Sequence, residues 1–137
     1  MQSKFIMLVA TALLSVIAPS QAFACKFVQP QTEAERVAAA NSTVSSAAVI
    51  MEAEVVRPSR SGGKPALLKA INVTKGPKGK KFFLVAAGTS CDKEFSEIGT
   101  RQRILLFGGP KLYRASMYAS SSAEIDRAIA AMPRRKR

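Results

Sequence analysis

The chain has 137 residues, with 21 Lys and Arg against 9 Asp and Glu, a formal net charge of +12, two cysteines, and neither histidine nor tryptophan. Without histidine, the commonest general base and the commonest metal ligand are both missing. The surplus of positive charge points towards anionic partners.

Residues 1–24 read as a removable leader. Met1-Gln2-Ser3-Lys4 is a short basic start, an apolar run extends from Phe5 to Ala18, and small residues stand at Ala22 and Ala24. The run is too short to span a bilayer, which is the pattern of a secretory signal peptide. Cutting after Ala24 makes Cys25 the first residue of the exported chain. Cutting after Ala22 also satisfies the small-x-small rule and leaves Phe23 first. A lipoprotein signal also puts cysteine at the cut, but Ala22 stands where an aliphatic residue is expected and Phe23 is bulky for such a site. The expectation is a periplasmic or secreted protein with no transmembrane span after the leader. In that oxidising compartment the natural partner of Cys25 is Cys91. The bond closes a loop of roughly 67 residues, worth about 4 kcal/mol in the chain-entropy model. No C-x-x-C spacing exists, so the pair reads as a staple and not as a redox couple.

Removing the leader leaves 113 residues (137 less 24), enough for one small domain over 25–132 followed by a basic tail, 133–137. Thr32 and Glu35 form a capping box that predicts a short helix to about Ala40, with Val37 and the neighbouring alanines on its apolar side. Asn41-Ser42-Thr43 has the form of a glycosylation sequon and is read as a loop. From Ala48 to Val56 the pattern is strand-like, with Glu52 and Glu54 on one face and Met51, Ala53 and Val55 on the other. Residues 58–65, rich in Pro, Gly and Ser, make a loop.

A second strand is predicted from Ala66 to Thr74, with Leu67, Lys69, Ile71 and Val73 on one face. Lys75-Gly76-Pro77-Lys78-Gly79-Lys80 turns the chain. The third strand, Lys81 to Ala87, is apolar enough to expect burial on both faces. A long polar connection follows to Gly99. A fourth strand covers Arg103 to Phe107, and a fifth, shorter one Leu112 to Tyr118. Ser121 and Glu124 form a second capping box, opening a helix with Ile125, Ala128, Ile129 and Met132 at helical spacing. That stripe is core packing.

Catalytic patterns are missing. There is no nucleophile elbow, phosphate loop or zinc spacing, and no paired carboxylates stand out. Serine and lysine are plentiful, but nothing singles out a pair. The chain is expected not to be an enzyme, and no cofactor or metal is called for. Arg57, Arg60, Lys64, Lys69, Lys75, Lys78, Lys80 and Lys81 form an acid-free stretch suited to polyanions. Single-stranded nucleic acid is an alternative ligand, with Phe82 or Phe83 as stacking rings. Export and the scarcity of aromatic residues argue against it. Adjacent strand residues face opposite ways, so one of the two rings belongs to the core.

Five short strands, turn-rich links and a helix at each end predict an all-β fold, a five-stranded barrel of the oligonucleotide/oligosaccharide-binding (OB) type. In their order, Cys25, the strand Ala53-Glu54-Val55-Val56, the step Val73-Thr74-Lys75-Gly76, Cys91 and the strand Ile104–Phe107 after Gly99 resemble the netrin-like modules. They resemble equally the tissue inhibitors of metalloproteinases and their bacterial relatives, over about Cys25 to Leu106. The resemblance implies the same barrel. It also implies that the amine and carbonyl of Cys25 could chelate a protease's zinc, with Lys26 entering the specificity pocket. Lys26 departs from the small polar residue usual there, and two cysteines stand where the inhibitory domain has six. The resemblance therefore implies a non-enzymatic exported binding module, its partner a protein or an anionic surface polymer, with metalloprotease inhibition as the alternative.

Overall fold

Thr32 and Glu35 exchange hydrogen bonds across a first helical turn: Glu35 N donates to Thr32 Oγ1 at 3.2 Å and Thr32 N to Glu35 Oε2 at 2.9 Å. The helix they open, α1 (Glu33–Ser46), is longer than expected and runs through the sequon. Thr43 turns its hydroxyl back onto the Ala39 carbonyl, 2.9 Å away, and so does not interrupt the helix. Ala40, Val44 and Ala47 continue the apolar spacing and are buried, whereas Val37 is exposed. The computed structural model describes residues 29–30, 32–59, 64–86, 91–116, 118 and 120–133. The leader, Cys25, Lys26, Arg60 and the tail 134–137 lie outside the described residues.

Five strands follow: β1 (Val49–Arg57), β2 (Ala66–Lys75), β3 (Phe82–Ala86), β4 (Arg101–Gly108) and β5 (Tyr113–Arg114). They close a barrel in the order β1-β2-β3-β5-β4, antiparallel except where β3 and β5 run parallel. With its two flanking helices this is the expected five-stranded OB-type barrel. α2 (Ser122–Ala130) begins on the predicted capping box.

Two apolar cores result. Met51, Val55, Leu68, Phe83, Phe95 and Leu106 fill the barrel. Val44, Ile50, Leu105, Ile125 and Ala128 form a second core between the helices and the outer faces of β1 and β4. Each fully buried large side chain contributes roughly 1.5–3 kcal/mol by leaving water. Arg36 pairs with Glu124 at 3.1 Å between the helices, and Arg103 on β4 pairs with Asp126 on α2.

Three strands differ from expectation. β2 carries extra residues at Ile71 and Thr74, because Ala70 pairs with Ala53 but Asn72 with Glu52, and Val73 with Met51 but Lys75 with Ile50. These bulges switch the strand's facing, so Val73 packs with Leu68 and Ala70 against the barrel core. β3 is buried on one face only, since the helices cover β1 and β4 and leave its outer side bare. β5 has two residues; beyond it the chain makes one isolated bridge, Ser116 to Asp92.

The connection after β3 contributes a core residue that the sequence pattern did not mark. Phe95 is buried in the barrel and clipped to the β1–β2 loop: Ser59 N donates to Phe95 O at 2.9 Å, and Phe95 N to Ser59 Oγ at 3.1 Å.

Candidate binding face on β2 and β3

The basic stretch divides into two kinds of residue. Arg57 donates to the Pro65 carbonyl through Nε (3.4 Å) and an NH2 nitrogen (3.2 Å), closing its own loop. Lys75 Nζ donates to the carbonyls of Val44 (3.0 Å) and Ser45 (2.8 Å), satisfying the C-terminal end of α1 and its partial negative charge. Lys80 Nζ donates to the Pro110 carbonyl at 3.2 Å and lies 5.1 and 5.3 Å from the ring centroids of Phe83 and Tyr113. This cation–π cap joins the β2–β3 turn (76–81) to the β4–β5 turn (109–112). Lys64, Lys69, Lys78 and Lys81 are exposed and have no carboxylate partner among the described residues. The seven described basic positions thus do not converge on one pocket.

Arginine and lysine are sorted by role. Arg36, Arg101, Arg103, Arg114 and Arg127 each face a carboxylate. The Arg114 guanidinium grips both oxygens of Asp92 at 3.1 Å, covering a carboxylate whose side chain is 2% exposed. Its neighbour Lys93 has its pKa lowered by burial, and its backbone N–H is tied to the Ala115 carbonyl at 2.6 Å. The Ser121 backbone N–H, with Arg36 and Arg127 nearby, holds the Glu124 carboxyl below its usual range. Among the described residues, the positive charge left without a carboxylate is carried chiefly by lysines. Residues 75–81 and 108–112, joined at one end of the barrel by Lys80, contain no acid at all.

Beside that end, the outer face of β2 and β3 exposes an apolar row interrupted by Lys69. Lys69 lies opposite Phe82, and Leu67 opposite Leu84. Phe82 is 47% exposed and Leu84 37%, while the bulged Ile71 is 47% exposed. Leu112 (48%) precedes the Val85–Tyr113 pair and extends the row past Leu84. Of the two candidate stacking rings, Phe82 is outside and Phe83 is core.

No three His, Cys, Asp or Glu side chains gather as a metal site among the described residues, and no described helix is long and apolar enough to cross a membrane. Compared with known proteins, the chain matches no family model and no curated sequence.

Proposed function

We propose that this chain is an exported, non-enzymatic binding module of the netrin-like and metalloproteinase-inhibitor type, with an anionic surface polymer or an acidic protein as its partner. The observation that carries this reading is the sorting of charge: each described arginine has an acceptor, while exposed lysines cluster around the β2–β3 turn. Ammonium groups act as point charges without the bidentate geometry of a guanidinium. Contact of this kind is weak, tolerant of polymer sequence and steeply dependent on salt. Export rests on the leader pattern, and the Cys25–Cys91 staple on the pairing of the two cysteines in an oxidising compartment. Single-stranded nucleic acid is less well served, because one exposed ring does not make a stacking platform for successive bases. Inhibition through Cys25 and Lys26 rests on the family resemblance alone.

Retention on a heparin column tests the reading. The triple variant Lys69→Gln, Lys78→Glu, Lys81→Glu leaves Lys75 and Lys80 in their structural bonds. Glutamine is chosen at 69 because a second carboxylate opposite Glu54 would repel across the strands. The native protein is expected to be retained and to elute earlier as salt rises, and the variant to flow through with unchanged circular dichroism. Equal retention of both proteins would refute the polyanion reading.

A further inference from the structure

The outer face of β2 and β3 combines two properties that a soluble polyanion does not require together. Five side chains line this face across two strands and the adjoining turn: Ile71, Phe82, Leu84 and Leu112 are exposed and Leu67 is half-buried. Four of the five are aliphatic. Lys69 stands within this strip, and Lys78, Lys81 and Lys111 stand at its end, where the two acid-free turns meet. Across the sheet, Glu54 opposite Lys69 pairs with Arg101 at 3.1 Å, and Glu52 lies opposite Asn72 beyond it.

We infer that this face docks on the surface of a bilayer containing anionic lipid. Stacked bases or sugar rings would be matched by aromatic side chains, and the strip offers only Phe82. Aliphatic side chains suit the boundary between headgroups and acyl chains. Lysines can lay their methylene stems along that boundary and keep the ammonium among the phosphates. A β-barrel face is rigid, so the strip needs no ordering before contact. Binding is peripheral, with the apolar side chains reaching the interface and the barrel staying outside it. This inference goes beyond the polyanion reading, which uses the lysines and leaves the apolar strip without a role.

Co-sedimentation with vesicles tests it, using phosphatidylcholine alone or mixed with phosphatidylglycerol, with heparin retention measured in parallel. The native protein is expected to partition onto the mixed vesicles and not onto pure phosphatidylcholine. Phe82→Thr with Leu84→Thr keeps strand-forming residues and should lower partitioning on the order of tenfold while heparin retention stays unchanged. Lys78→Glu with Lys81→Glu should abolish both. Partitioning unaffected by the threonine pair, or no partitioning by the native protein, overturns the bilayer inference and leaves the polyanion reading standing. Vesicle binding without heparin retention supports the bilayer inference and defeats the polyanion reading. Tight binding of single-stranded oligodeoxythymidylate that is lost with Phe82→Thr would overturn the bilayer inference in favour of base stacking.

Discussion

Gly76 and Gly109 occupy backbone positions that a side chain would disturb for different reasons. Gly76 has φ +117°, and a Cβ there would lie 3.1 Å from the Ala48 carbonyl oxygen and 3.1 Å from a Val49 methyl. Gly109 has φ +104°, and its Cβ would stand 2.3 Å from Cε1 of Tyr113, inside the ring that Lys80 caps. Alanine is therefore expected to destabilise at both sites, by about 1–3 kcal/mol at Gly76 and by more at Gly109. Urea midpoints check the order; a Gly109→Ala variant as stable as the parent would contradict the packing against Tyr113. The Lys75-Gly76-Pro77 step shows the first constraint in sequence, since such a turn asks for glycine. The second depends on a ring four residues on that returns to the same place through tertiary packing, and no local pattern announces it. Lys75 and Lys80 were hidden in the same way: each reads as one more surface charge until distant carbonyls come within reach.

The two helices were legible because a capping box is a local code, with its partners three residues apart. Replacing Thr32 or Ser121 with alanine should cost about 1 kcal/mol each in thermal or urea unfolding. Glu124 adds a pH dependence. Its pKa is lower in the folded state, so its stabilisation is complete above the ordinary value of 4.5 and is lost as pH falls through the lower folded value. The gap in melting temperature between the native protein and Glu124→Gln should therefore close on acidification and be widest near neutrality. A gap that stays constant with pH would show that the charge is not what matters. Strand faces were legible along β1 from Met51 to Val55, where buried residues alternate with Glu52 and Glu54, and misread along β2. Its bulges arise from pairing with β1, and a strand read alone cannot reveal an extra residue relative to its partner. The end of α1 was placed too early for a related reason: Asn41 and Ser42 look like a break, while the burial of Val44 and Ala47 against β4 and α2 extends the helix.

Between them, the turns and strand lengths indicated a closed or nearly closed five-stranded barrel, but not the strand pair that closes it. The parallel β3–β5 contact involves two residue pairs and has no sequence signature of its own. The proposed binding face was half legible: the acid-free run is plain in sequence, whereas the apolar row across Leu67, Leu84 and Leu112 exists only in register. A domain this small gains noticeably from a covalent tie. Loss of the proposed Cys25–Cys91 bond through Cys91→Ser should cost about 2–5 kcal/mol. Intact mass before and after reduction should differ by two hydrogens, and two free thiols in exported material would remove the staple from the account.

The placement of the lysines also gives the barrel an electrical direction. Among the described residues, Lys75, Lys78, Lys80, Lys81 and Lys111 share one end without a carboxylate, while Glu94 and Glu97 partly offset Arg57, Lys64 and Lys93 near the other. The described residues thus carry an asymmetry of charge along the barrel axis as well as a net charge. In the field of an anionic surface such a body experiences a torque before it touches anything, and it arrives with the β2–β3 turn foremost. Salt that shortens the range of the field would then slow arrival by spoiling the approach angle as well as by weakening attraction.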